Sequence, residues 1–455
     1  MIEPYRRSPK PRPIAIVRAD RSVLDEAGDI TTLADVDPRA RIYADRDLVN
    51  PILHRGDGLA VCWNEIPIRW IADGRSVYLM GGYPGDRPDL LAGLIMIRDF
   101  LAENGAGMGS ISSSSYSLLR ATLDRPLKVW SGEDVPKISE VIGGRQEAFV
   151  DPGIIGAFDA WDLEAAYARA LGDLVYPASW ATWGTLPSER SPYPCFVRAR
   201  VSVAPGSPVG PLPRRRRKPD DSRTWRRLDE REYPIGKTLT GVWSADEIRA
   251  ALDTGARVKI LKVWMMRGHP DRPFQRWWEL IQVARGFPGV AGRLAKTMGN
   301  TLWGQFCALG ERTRVVYHDG RPTRTPDPMP RPPRRSQPLD VAELVTSKVR
   351  ARLLSEIMVP QLDRLISVHT DGALLRPGPT PDLPEDWKLK DRGRSLIYLG
   401  PQTYAYRRAG SGTTVYKVSG VAPRHVRAVF SSLTKSMLPG SSRRVVAGPT
   451  EDVFS

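Results

Sequence analysis

The sequence predicts a mixed α/β (α+β) fold made of more than one packed unit. Three observations predict it. The chain has 455 residues, more than one hydrophobic core normally organises. Short apolar strand-like runs (Ile14 to Val17, Leu59 to Trp63, Ser76 to Met80) alternate with a helix-like run from Leu90 to Leu101. Hydrophobic residues make up 41% and charged residues 26%, a water-exposed globular balance. No apolar run reaches the roughly 18 residues of a membrane helix and no signal-peptide pattern opens the chain, so neither a membrane span nor export is expected.

In order, the opening segment carries Arg6, Arg7, Lys10 and Arg12 among prolines and reads as a loose basic arm. An α/β region follows to about residue 140. A second segment, about 141–310, opens on the Gly143-Gly144 turn and holds a strand, a helix and a long insertion. Within the insertion, Pro211 to Pro219 packs four arginines and a lysine between prolines; it reads as an exposed loop touching phosphates, or as a solvated linker. A Pro/Arg-rich break runs from Thr323 to Pro338. Val341 to Met358 has amphipathic helical spacing, Leu365 to Leu375 reads as a hairpin, and Val426 to Met437 as a short helix. No internal repeat is present.

Lys plus Arg number 67 against 51 Asp plus Glu, a net charge of +16. A folded protein this basic commonly meets a polyanion, because neutralised phosphates release counterions; a dispersed solubility charge is the plainer alternative. Cys62, Cys195, Cys307 and five histidines show no ligand spacing. No zinc site or disulfide framework is expected, which fits a reducing, cytoplasmic compartment.

Two carboxylates stand at strand ends. Ile154 to Asp159 reads as an apolar strand ending in Asp159, with the Ala160 carbonyl beside it, Asp162 as N-cap and Leu163 to Leu171 as a helix. Downstream, apolar residues flank His369-Thr370-Asp371-Gly372, so a tight hairpin puts Asp371 at its tip. Carboxylates brought together this way favour a cation between them, and Mg²⁺ is the natural one. Between these points lies Arg293 to Gly304. Arg293, Lys296 and Asn300 share one helical face, and Leu294, Met298 and Leu302 another. With Trp303 the polar face suits a polyphosphate and a flat ring; an ordinary solvated basic edge is the alternative.

In order, Phe158-Asp159-x-x-Asp162-Leu163, Lys296-x-x-x-Asn300-x-x-Trp303-Gly304 and His369-Thr370-Asp371-Gly372 resemble motifs A, B and C of family B DNA polymerases, closest to the protein-primed phage and linear-plasmid branch. Those motifs read approximately Asp-x-x-Ser-Leu-Tyr-Pro-Ser, Lys-x-x-x-Asn-Ser-x-Tyr-Gly and Asp-Thr-Asp-Ser. The spacings, 137 residues from Asp159 to Lys296 and 75 from there to Asp371, also look like that branch. Gly143-Gly144-Arg145 looks like its template-contacting Tyr-x-Gly-Gly/Ala element, and Gln402-Thr403-Tyr404 lies where it has Lys-x-Tyr.

The resemblance implies a right-hand architecture: an N-terminal domain over 1–140, like a shrunken exonuclease; a palm over 141–285 and 336–420; fingers over 286–335; and a short thumb over 421–455. It implies template-directed addition of dNTPs to a primer-template 3′-hydroxyl on two Mg²⁺ ions (Mn²⁺ being the substitute), with a terminal protein or other priming or processivity factor as partner. Asp159, the Ala160 carbonyl and Asp371 would hold metal. Lys296 would hold the triphosphate, Asn300 and Trp303 would flank the nascent base pair, and Gly304 would permit close approach; helix geometry adds Arg293. Gly143, Gly144, Arg145, Thr403, Tyr404 and Lys417 would meet DNA.

The chain departs from the pattern at several points. His369 replaces the first Asp of motif C, Gln402 the Lys of Lys-x-Tyr, and Glu164 stands where the motif A Tyr screens the ribose 2′-hydroxyl. No strand of the first 140 residues ends in the Asp-x-Glu that a proofreading exonuclease needs, so no 3′–5′ proofreading is expected. Two other readings stand beside the polymerase: a non-catalytic nucleic-acid-binding relative, and a primase-like enzyme of relaxed sugar choice.

Overall fold

Each strand-like run finds its place in one of three main sheets, and the long helices pack chiefly on one another. The computed structural model describes residues 10–17, 22–31, 35–37, 39–45, 59–63, 66–72, 75–80, 88–127, 138, 141–176, 179–189, 191–215, 231–268, 270–306, 313–318, 321–326, 338–418, 427, 430–431 and 434.

The first sheet has nine strands, in the order Arg321–Pro326, Thr313–His318, Leu59–Trp63, Ile66–Ala72, Arg75–Met80, Arg41–Asp45, Ile14–Val17, Val23–Leu24 and Ile30–Thr31. Ile14–Val17 and Arg75–Met80 both run parallel to Arg41–Asp45, and the other pairs are antiparallel. Two strands thus come from far beyond residue 140. The break expected from Thr323 begins instead as an edge strand, where Pro322 and Pro326 are tolerated because an outer edge needs no N–H.

Helices Pro88–Glu103 and Ile111–Thr122 brace the Gly289–Phe306 helix. Gly93 lets two of these come close: a Cβ there would sit 2.8 Å from Val290 Cβ. Phe100 meets Phe287 edge to face at 5.4 Å.

The second sheet carries the carboxylates. Its antiparallel order is Thr414–Val418, Thr403–Arg408, Trp387–Gly400, Phe158–Leu163, Gly372–Leu375, Leu365–Thr370 and Arg145–Ala148, with Gly153–Ile155 pairing onto Trp387–Gly400. It curls, so His369 and Tyr404, well apart in strand order, bring their rings to 5.6 Å. Ile155, Phe158, Ile366, Leu374, Tyr398 and Tyr404 fill the curl.

Here the expected strand-to-helix corner is corrected. The strand does not end at Asp159 but runs from Phe158 through Leu163, and the helix begins at Ala166, after Ala165 in the left-handed region (φ 52°). Asp162 is not an N-cap: it sits in the ladder opposite Gly372 and Lys388. Hydrogen bonds to strands on both sides outcompete a cap.

In the third sheet, Ser179–Trp183, Arg257–Arg267, Cys195–Ser202 and Thr238–Ser244 lie in that order, backed by the Ala245–Asp253 helix with its Ser244/Glu247 capping box. Of the arginine-rich insertion, Pro211, Leu212 and Pro213 are buried rather than exposed, and the residues from 216 to 219 lie outside the described residues. The amphipathic helix expected over Val341 to Met358 forms as Leu339–Arg352 continued by a wider turn over Leu353–Met358, and Leu339–Arg352 is buried nearly all round rather than along one face. Of the expected 426–437 helix, Arg427, Phe430, Ser431 and Thr434 are helical and the rest lies outside the described residues. No helix among the described residues is long and apolar enough to cross a membrane.

Candidate active site

The Leu365–Thr370 and Gly372–Leu375 strands form the expected hairpin with Asp371 at its tip. Thr370 takes φ 48° to make the turn, and its hydroxyl donates to Asp371 Oδ1 at 2.9 Å. Leu163 N–H donates to the Asp371 carbonyl at 2.8 Å, locking the tip to the Phe158–Leu163 strand.

Strand parity then decides which aspartate faces the tip. Side chains alternate faces with period two, so residues three apart point to opposite sides. Phe158 and Ala160 pack into the curl, and Asp162 shares their face; Asp159 shares the face of Trp161 and Leu163, which join the main core. Asp159 lies opposite Leu375, three pairs from the tip, and pairs with Arg392 at 3.2 Å. Gly372 lies under the other carboxylate: a Cβ there would be 3.0 Å from Asp162 Oδ1. Burial, and then the Asp162 charge, push the Asp371 carboxyl above the usual range. The structure therefore brings Asp371 together with Asp162, not with Asp159 and Ala160.

The shift of three residues also moves the aromatic. Tyr167 follows Asp162 by five positions, as Tyr follows Asp in Asp-x-x-Ser-Leu-Tyr. The Tyr167 hydroxyl donates to the Thr370 carbonyl at 3.2 Å, and its ring stacks on Trp303 at 5.2 Å. That aromatic is the signal in the sequence that separates the registers: both offer an Asp, but only the one starting at Asp162 keeps the Tyr. Glu164 stands apart, half-exposed, 3.7 Å from Arg285.

The Gly289–Phe306 helix forms over the expected span, with Leu294, Met298 and Leu302 fully buried and Arg293, Lys296 and Asn300 on its exposed face. Gly299 lets it approach its neighbours; a Cβ would be 3.2 Å from Ile281 Cγ2. Gly304 has open space around it.

Two cations lean into the carboxylate corner. Lys390 Nζ lies 2.8 Å from Asp162 Oδ2. Lys417 Nζ lies 5.5 Å from the centre of the buried Tyr404 ring. Burial and Lys390 hold the Lys417 ammonium below the ordinary lysine range, against the pull of Asp162 and Asp371. Thr403 is half-buried beside Tyr404.

His369 is buried, and desolvation, with Lys417 and Lys390 nearby, pushes its imidazole down to about 3. Its Nδ1 accepts the Gln402 N–H at 3.2 Å and its Nε2 meets Ser367 Oγ at 3.1 Å, so both ring nitrogens are engaged. Burial and the two lysines thus favour the neutral form of the His369 imidazole. The two departures, His369 and Gln402, thus touch, and together they remove one negative and one positive charge relative to the motifs.

Of the glycine turn, Gly144 lies against Tyr167 and Thr370, where any side chain would collide; Gly143 gives its carbonyl to Arg350 at 3.1 Å. Arg145 does not fit a DNA contact. It is buried, bound to Glu147 and to the Gly210 carbonyl (2.8 Å), and stacked 3.9 Å over Tyr233.

No family model matches the chain, and no curated protein matches it by sequence. Solved structures do. The phi29 DNA polymerase in orthorhombic crystals superposes with a TM-score of 0.60 at 12% identity, over 92% of this chain and 94% of that one. The fold is that of phi29 DNA polymerase. Its ternary complex with primer-template DNA and incoming nucleotide matches with a TM-score of 0.57, and its post-translocation binary complex with primer-template DNA with 0.58, both at 13% identity over 92% of this chain and 94% of the other. At such identity the likeness to the phi29 enzyme is one of fold, and the chemistry rests on the corner itself.

Proposed function

We propose that the chain is a template-directed DNA polymerase whose metal-binding pair is Asp162 and Asp371. The single observation that carries this reading is the meeting of those two carboxylates at the hairpin tip, with the stacked Tyr167 and Trp303 behind them. The corner fits a divalent ion: a buried carboxyl, Asp371, held above its ordinary range beside a second carboxylate is the donor set Mg²⁺ takes alongside water and phosphate oxygens. Bound there, such ions would activate the primer 3′-hydroxyl and steady the leaving pyrophosphate. Asp162 and Asp371 would hold them, with the carbonyl of Leu163, which follows Asp162 as Ala160 follows Asp159, as the backbone ligand.

In this reading the curled sheet is the palm and the Gln275–Arg285 and Gly289–Phe306 helices are the fingers. Lys296, helped by Arg293, holds the triphosphate, and Asn300 and Trp303 flank the new base pair. Tyr167 takes the place under the ribose, which favours dNTPs over NTPs and removes the motive for a sugar-relaxed enzyme. Thr403, Tyr404 and Lys417 line the primer side, and Gly143 and Gly144 the template side. The four residues of the Ile14–Val17 strand are apolar and buried, so the strand offers no carboxylate to an exonuclease site; we infer no proofreading.

Extension of a labelled primer-template with Mg²⁺ or Mn²⁺, using dNTPs and NTPs separately, tests the reading. Extension with dNTPs is expected. Its absence with either metal, alongside retained DNA binding, would leave a binding-only relative. Shortening of the primer from its 3′ end without nucleotides would refute the absence of proofreading.

A further inference from the structure

The Phe158–Leu163 strand pairs with Trp387–Gly400 in a ladder that slips once. Ala160 faces Asp391 and Trp161 faces Leu389, which leaves Lys390 as the unpaired residue of a β-bulge. Bulges re-aim a side chain, and this one sends the ammonium to Asp162 Oδ2 at 2.8 Å. The Lys390 side chain is 56% exposed, so its stem is free to swing into solvent. Lys417 reaches the same corner from the Thr414–Val418 strand. Two carboxylates are thereby matched by two ammonium groups of the chain itself. Among the described residues no group of three or more His, Cys, Asp or Glu could hold a metal ion. A hydrated ion arriving alone meets a corner already neutral and short of ligands, and Mg²⁺ gives up its water reluctantly. A nucleotide brings both the missing oxygens and the missing negative charge.

We propose, resting on the polymerase reading, that Lys390 is an exchangeable counter-ion of the Asp162–Asp371 pair, which divalent metal displaces only in company with a nucleoside triphosphate. Lysine suits this role. Its ammonium is a point charge on a flexible stem and binds without the fixed fork of arginine.

The test is Mn²⁺ binding to the full chain by electron paramagnetic resonance, without nucleotide, with dTTP retention on the protein measured separately by equilibrium dialysis. The Lys390→Ala protein is expected to bind Mn²⁺ alone about tenfold more tightly than the wild type, an effect that shrinks with added salt. Lys390→Arg, which keeps the charge, is expected to stay as weak as the wild type. Mn²⁺ affinity unchanged or lowered in Lys390→Ala, in a protein whose circular dichroism matches the wild type, overturns the counter-ion. Asp162→Ala separates the two readings. If it retains Mn²⁺-dependent dTTP binding, the metal site itself is misassigned. If it loses that binding while Lys390→Ala behaves as wild type, only the counter-ion fails.

Discussion

Two charge clusters in this molecule use the same ingredients to opposite ends. Around Arg350, on the Leu339–Arg352 helix, the guanidinium binds Glu247 at 2.8 Å and Glu343 at 2.5 Å and donates to the carbonyls of Ile142 and Gly143. Arginine and both carboxylates are buried. Glu343 also accepts the Ile142 N–H at 2.7 Å, and Glu247 caps its own helix. At the hairpin tip, Asp162 and Asp371 are instead balanced by lysines on flexible stems. A forked cation with its donors spent makes a clamp, and point charges on long stems make a site that can exchange its ions. The clamp holds the Gly143–Gly144 turn against Tyr167, so the rigid cluster positions the exchangeable one.

The largest effect that would sharpen this contrast is at Asp162. Asp162→Asn is expected to lower extension by about a thousandfold or more, since metal stabilisation of transition-state charge is worth several kcal/mol, while the thermal midpoint of the metal-free protein barely moves because its Lys390 partner is exposed. Asp159→Asn should retain most activity. If Asp159→Asn is the dead variant, the strand-parity assignment is wrong.

Arg350→Met should do the reverse. It leaves two buried carboxylates uncompensated, and urea unfolding should show a loss of about 3–5 kcal/mol. A loss under about 1 kcal/mol would mean that the cluster is no clamp.

Burial pushes the Glu343 carboxyl up to about 7 from an ordinary 4.5, against the pull of Arg350. The folded protein therefore binds more protons there than the unfolded chain, and this contribution to stability falls as pH rises from about 4.5 to about 7. Glu343→Gln cannot titrate. The wild type should lose urea midpoint relative to Glu343→Gln across that window and run parallel to it above pH 7.5. Parallel curves throughout would place the Glu343 pKa near its unfolded value.

How much of this was legible beforehand differs between the clusters. The Gly289–Phe306 helix and the Asp371 hairpin carry their own periodicity and turn residues, and both form as read. The assignment of Asp159 to the metal and Asp162 to a cap rests on where a strand ends, and the ladder to Gly372 and Lys388 shows that it runs on to Leu163. Arg145 and Arg350 look like surface cations in a basic chain. Their burial depends on Tyr233, Glu247 and Gly210, remote partners that no local pattern announces.

The smallest expected effect tests whether the two departures from the motifs form one unit. Gln402 holds φ 56° while its N–H bonds His369, so the contact is made by backbone and leaves the Gln402 side chain free to vary. His369→Asp alone puts a third carboxylate beside Asp162 and Asp371 without a new cation, and should cost about tenfold in extension rate, about 1.4 kcal/mol. Gln402→Lys alone adds a third ammonium beside Lys390 and Lys417 and should also slow extension. The double variant restores the charge balance of the family pattern and should recover most of the loss, giving a coupling energy of about 1 kcal/mol in a double-mutant cycle. Additive losses would show that His369 and Gln402 changed independently, and that the neutral imidazole is held for packing against Tyr404 alone.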